Sequence, residues 1–306
     1  MMWFQQQIAQ AQAHFDLESG RKFLTSGDYD RAKDSLAKAN NFARKTAIDI
    51  ANSGSSSPTC ADLKQRELIE VERSIVDAQL RTEDLFIHDY QRYMNPPADT
   101  AHSLEYAYYL LGDVRGKRVL DFGCGAGENT VLLALRGADT VAIDLSPELI
   151  ELAEKRCGLH GTKAELRVPT CHETGLPDHS FDVVFGIGIL HHLRLALSLK
   201  EVARLLKPDG SSIFQEPIRD SRLAKLARRM FPPTADDISP FERPFETQGL
   251  FGATGKMTMS DARRFRLPHI SILDAGKWAV CMDRWLLAHL PVAHWASVMV
   301  WKARFD

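Results

Sequence analysis

Several things are scarce in this chain, and each scarcity removes a class of protein. Its five cysteines (Cys60, Cys124, Cys157, Cys171 and Cys281) are scattered without a C-x-x-C pair, so neither a disulfide framework nor a zinc site is indicated. No run of about 18 uncharged apolar residues occurs, since Asp283 and Arg284 interrupt the greasiest stretch, Trp278 to Leu290. No integral membrane span is expected. Cations are not in excess: 38 Lys+Arg against 40 Asp+Glu leave a net charge of -2, which argues against nucleic acid as a partner. The first fourteen residues carry three consecutive glutamines and no apolar core flanked by positive charge, so a secretory signal is not expected and the predicted location is cytoplasmic. What remains is ordinary globular composition, with 306 residues providing for about two domains, or one large domain with an appendage.

The clearest boundary is the run Asn52 to Pro58, which holds five serine or glycine residues and lacks surface to bury. It places a linker at 52–60 after an N-terminal helical hairpin at 1–51. Gly20, Phe23, Leu24, Gly27, Asp28, Tyr29, Ala32, Leu36 and Ala39 are spaced so that the stretch from about 10 to 43 resembles one tetratricopeptide repeat. A lone repeat cannot bury its own face. The hairpin is therefore expected either to pack on the main domain or a second subunit, giving a homodimer through these helices, or to dock a peptide. Leu63, Leu68, Val71, Ile75 and Ala78 recur at helical spacing, and a second helix over His102 to Leu111 stops at Gly112. This makes 61–112 a helical lid or connector. Tyr90, Tyr93 and Tyr106 within it mark where a substrate lid would sit, and Asn95-Pro96-Pro97 reads as a turn because no strand precedes it.

From residue 113 to 306 short apolar runs alternate with amphipathic helices. Strands are predicted at 118–122, 140–144, 164–168, 181–187 and 212–215. Helices are predicted at 128–135, at 147–156 with Ser146 as cap, and at 195–206 with Pro208 and Gly210 as the stop. Strand and helix in this order imply right-handed crossovers and an α/β, Rossmann-like, doubly wound sheet.

Asp121-Phe-Gly123-Cys124-Gly125-Ala-Gly127 follows the first strand and opens the first helix of this region, where glycines let a ligand approach the backbone and the helix N-terminus faces the crevice. Asp144 closes the next strand at the place where a ribose diol needs an acceptor. A dinucleotide is disfavoured because the third fingerprint position is Glu128, whose carboxylate would face a pyrophosphate. Asp121 suits a ligand bearing an amino group. The absence of G-K-[ST] excludes a P-loop.

Five blocks in order carry a family resemblance: Val119 to Gly127, Val141 to Glu148, Leu176 to Phe185, Leu190-His191-His192-Leu193, and Leu206 to Gly210. Residues 117–305 resemble a class I S-adenosylmethionine-dependent methyltransferase of the small-molecule type. The resemblance implies seven strands, the last pair an antiparallel hairpin, for which Phe265 to Leu273 and Trp295 to Phe305 are the candidates. It implies that Asp121, Gly123, Cys124, Gly125 and Gly127 hold the methionine end of the cofactor. Asp144 would take the ribose with Leu145 beside the adenine, Cys171 or His172 would meet the adenine edge, and Ile187 would lie near the sulfonium. Candidate bases are His191, His192 and Glu216; no metal is called for.

The segment 218–262 departs most from the family text and is read as an acceptor-side insertion. Its basic face of Arg222, Lys225, Arg228 and Arg229 points to a solvated helix, an anionic acceptor group or peripheral contact with an anionic membrane. Trp278, Met282, Trp285, Leu286 and His289 fall on one helical stripe, either packed on the final strands or walling a lipophilic pocket. The expected activity is methyl transfer to a small lipophilic or aromatic acceptor, at oxygen in preference to carbon or nitrogen. The alternative is a cofactor-binding scaffold or non-methylating cyclase whose helical extension docks a partner.

Overall fold

The computed structural model describes Glu67, Glu70 and residues 85–218, 257–267, 277–290, 292 and 295–305. The hairpin, the linker, most of the helix expected at 61–81, the basic face at Arg222 to Arg229 and the side chain of Trp278 lie outside them. The chain divides into two units, Met1–Glu70 with Pro233–Glu242 and Val71–Pro232 with Arg243–Asp306. The sheet and its helices belong to the second.

Strand β1 (Arg118–Phe122) is buried from Val119 to Phe122, as a central strand covered on both faces must be. Gly127, with φ 85, turns the chain into α2 (Glu128–Leu135), and β2 (Asp139–Ile143) returns beside β1. Helix α3 (Pro147–Leu159) starts as its sequence dictates: Ser146 Oγ accepts the Leu149 N–H at 3.3 Å, with Pro147 at the first position. β3 (Glu165–Arg167), β4 (Phe181–Ile187) and β5 (Leu206–Pro217) complete the parallel part. Upstream, α1 (Ser103–Leu111) ends on Gly112 with φ 67. The sheet order β3-β2-β1-β4-β5-β7-β6 closes with an antiparallel pair, β6 (Met257–Phe265) and β7 (Val298–Phe305). The seven-stranded, doubly wound architecture with a final hairpin is as expected.

Alternate residues of each strand feed opposite cores. Leu120, Phe122, Val184 and Phe214 meet Leu199, Val202 and Leu205 of α4 (Leu195–Leu205) on one face. Val119, Val183, Phe185 and Ile213 meet α1 and α2 on the other, through residues such as Tyr108 and Leu132. Of the three tyrosines read as marking a lid, Tyr106 is buried against Phe265, and the half-buried Tyr93 packs at a tilt against Tyr108.

Two boundaries differ from expectation. α4 ends at Leu205 and β5 begins at once, pairing Leu206 with Phe181, so Pro208 and Gly210 sit in an irregularity within a twelve-residue strand instead of stopping a helix. The first hairpin strand ends at Phe265, where it was expected to begin. Beyond it Arg266 takes φ 62, and the N–H groups of Arg266 and Leu267 go to the Asp283 carboxylate at 3.1 and 2.8 Å instead of to a ladder partner. Strand β6 thus starts at Met257, within the 218–262 stretch read as an acceptor-side insertion. Asp283, 3% exposed, lies on α5 (Lys277–His289) and reaches inward to make this contact. Two residues of the aromatic stripe, Met282 and Trp285, are 36% and 55% exposed.

Candidate active site

The carboxyl ends of β1, β2, β4 and β5 bring the sequence-predicted residues together. Asp121, the last residue but one of β1, is 1% exposed, with its Oδ2 accepting the Thr130 hydroxyl at 2.6 Å. Burial pushes its carboxyl up to about 7; the Thr130 bond counters this, and the nearby charges of Asp144 and Glu128 add to it. Such a group gains from a cationic ligand. Asp144, just past β2, is also buried and raised by that burial, although N–H groups of Ser146, Gly125 and Leu145 and the nearby His192 favour its charge. Its two oxygens accept from Ser146 at 3.0 Å and Gly125 at 2.9 Å. A carboxylate offers about four lone-pair sites, so room remains for one ligand hydroxyl, and a second would have to exchange with a backbone bond.

Between these acids runs the glycine loop. Cys124 and Gly123 donate their N–H groups to Ile143 O, tying the loop to β2. At Gly125, with φ 53, a Cβ would meet nothing within 4 Å, so this face of the loop is open. At Gly123, with φ 77, a Cβ would stand 2.5 Å from Ile189 Cδ1, so that side is sealed. The Cys124 thiol, held well above its ordinary pKa by burial and the charges of Asp121 and Asp144, interacts with Cys171 across the same neighbourhood. Cys171 itself is buried in the core with Phe122 and Ile143. Both ring nitrogens of His172 are engaged: Nε2 accepts the Arg194 N–H at 3.0 Å and Nδ1 faces Thr170 Oγ1 at 3.3 Å. His172 thus fastens the loop after β3 to the start of α4. Leu145 and Ile187 are half-buried beside the cleft ends of β2 and β4.

After β4 the chain forms a short 3-10 turn, Leu190–His192. His191 is 8% exposed, its Nδ1 is 2.7 Å from Glu216 Oε2, and its ring centroid lies 4.0 Å from that of His192. Glu216, near the end of β5, is 0% exposed.

Three contributors escaped the sequence reading. Thr130 stands one turn into α2 under Asp121. Ile189 covers Gly123. Arg156 forms a 2.8 Å pair with Glu128, the acid that had argued against a pyrophosphate. Arg156 alone left a signal, a charged residue in the apolar series Leu149, Leu152, Ala153 of α3. Two clefts of about 480 and 530 Å³ lie elsewhere, one lined by Lys117, Lys207 and Lys302 and the other by Met94, Tyr109 and Arg115, so cleft size alone does not locate this site.

The donor set can be tested against S-adenosylmethionine. A desolvated carboxyl suits its ammonium, an acid at the end of β2 suits its ribose, and the open face at Gly125 provides space, so the residues fit. Residues 120–214 match the family model described as "Methyltransferase domain". This is a class I S-adenosylmethionine-dependent methyltransferase domain. Among curated proteins, the methyltransferase is 29% identical over 181 residues to the ubiquinone biosynthesis O-methyltransferase of Azorhizobium caulinodans, covering 56% of this chain and 70% of that one. It is 31% identical over 156 residues to the protein of the same name from Alkalilimnicola ehrlichii, covering 47% of this chain and 62% of that one. A solved structure of a protein from Pyrococcus horikoshii OT3 matches with a TM-score of 0.49 at 19% identity, covering 73% of this chain and 94% of that one.

Proposed function

We propose that this methyltransferase acts on the hydroxyl of a small lipophilic or aromatic acceptor. The observation that carries the reading is the buried His191–Glu216 pair, 2.7 Å apart, with His191 on the loop whose Ile189 also seals one side of the glycine turn. A hydroxyl acceptor has a proton to lose, and an imidazole beside the donor loop is suited to take it. The relatives from Azorhizobium caulinodans and Alkalilimnicola ehrlichii, named as O-methyltransferases of ubiquinone biosynthesis, support oxygen as the methylated atom.

When bound, S-adenosylmethionine supplies an electrophilic methyl on sulfur that departs as a neutral thioether. In this reading Asp121 holds its ammonium and Asp144 its ribose, with Gly123, Cys124, Gly125 and Gly127 as the floor, Leu145 and Cys171 toward the adenine, and Ile187 toward the sulfur. The chain fixes the acceptor in line with the methyl and excludes water, an effect worth ~7–11 kcal/mol of the barrier. On methyl transfer to the acceptor oxygen, the acceptor proton would pass to His191, or to His192 beside it, and then to solvent.

The test is to incubate the purified chain with methyl-labelled cofactor and a panel of catechols and prenylated phenols, with alkyl amines as controls. Label on phenolic oxygen, recovered in the organic phase, is the expected result. Label on the amines alone would overturn the reading.

A further inference from the structure

Glu216 entered as a candidate base, yet its surroundings fit another task. Its Oε1 accepts the N–H groups of Ile189 and Leu190 at 2.9 and 2.7 Å, while Oε2 accepts the N–H of His191 at 3.4 Å and faces the His191 ring at 2.7 Å. Four donors meet about four lone-pair sites, so this carboxylate has no capacity left for an acceptor proton. We propose that Glu216 is a positioning residue for methyl transfer, setting the His191 ring on the acceptor side and the glycine loop on the donor side at once.

On the acceptor side the argument is one of valence. A carboxylate only accepts, so the proton between the two groups sits on His191 Nδ1, which leaves Nε2 as the acceptor nitrogen of the neutral ring. A glutamine at 216 would bring its own amide donors into a ring of donors and could not satisfy them all. On the donor side the link is Ile189. Glu216 fixes the Ile189 backbone, and the Ile189 side chain fills the space of two glycines: Cδ1 lies 2.5 Å from the Cβ position of Gly123 and Cγ2 lies 3.1 Å from that of Gly186. A shift of residue 189 is therefore felt directly by the loop that floors the cofactor site. Glu216 is also the last buried residue before the Pro217↔Val298 pairing, with Met299 opposite it on β7, so its own backbone is held by the sheet.

The inference rests on the reading of His191 as base, but its test needs no acceptor. Imidazole ¹⁵N spectra of the full chain, with His191 assigned by the signal lost in His191→Gln, should show a single Nδ1–H form in the wild type and a mixture of forms in Glu216→Gln. A wild-type Nε2–H form, or an unchanged spectrum in Glu216→Gln, would overturn the acceptor-side role; the wild-type spectrum decides this even if the variant fails to fold. For the donor side, Ile189→Ala should bind S-adenosylhomocysteine about tenfold more weakly by calorimetry while keeping the Nδ1–H form, and an unchanged affinity would overturn that half. Failure of every phenol to accept label, with these results intact, would count against the acceptor reading alone.

Discussion

Replacing Asp121 by asparagine should make the methyltransferase more stable and less able to bind its cofactor. In the folded protein without ligand, burial holds this carboxyl up to about 7 against an ordinary value of 3.8. Between those values the folded chain keeps a proton that the unfolded chain has released, so stability falls as pH rises, and the full penalty applies above pH 7. At about 1.4 kcal/mol per pH unit that interval corresponds to about 4 kcal/mol at pH 8, which asparagine, keeping the shape and the Thr130 partner, would recover. Near pH 4 the two proteins should differ little. Cofactor binding runs the other way, because an ammonium favours the ionised acid. With a group titrating at about 7 in the free protein, wild-type affinity for S-adenosylhomocysteine should drop about tenfold from pH 8 to pH 6, and binding at pH 7 should release part of a proton. The Asp121→Asn variant should bind weakly and with little pH dependence. Urea unfolding at pH 4.5, 6 and 8, paired with calorimetry in buffers of different ionisation enthalpy, measures all of this. A variant no more stable at pH 8, together with a wild-type affinity that is flat from pH 6 to 8, would refute the reasoning.

Two further perturbations separate backbone strain from contact. Gly125→Ala should cost about 1–2 kcal/mol from its positive φ alone, whereas Gly123→Ala must also displace Ile189 and should cost clearly more in a urea melt. Asp283→Ala strips the partners from the Arg266 and Leu267 N–H groups and should lower stability by about 2–3 kcal/mol, with S-adenosylhomocysteine affinity unchanged.

Much of the geometry around the glycine turn was legible because it is local. The glycine turn, the acid that closes β2 and the Ser146 cap each lie within one strand–turn–helix unit, so spacing along the chain is nearly spacing in space. What could not be read depends on partners far apart in sequence. Glu216 reads as a candidate base, and its contacts with the backbone N–H groups of residues 189–191 leave no trace along the chain. Asp283 reads as an interruption in a greasy helix, yet it ends β6 by capturing two N–H groups sixteen and seventeen residues away. Pro208 and Gly210 are helix stops by any local rule, but pairing of Leu206 with Phe181 draws them into β5. His172 was set against the adenine from its place after β3, and the structure shows both its nitrogens already committed to Arg194 and Thr170.

The strand that carries Glu216 also restricts how this protein can change over evolutionary time. Successive residues of a strand point to opposite sides, so adding or deleting one residue between Ser211 and Gln215 would turn Glu216 away from the His191 loop without altering any residue of the site itself. The irregular stretch at Lys207 to Gly210, where the register with β4 shifts, has no such parity to keep.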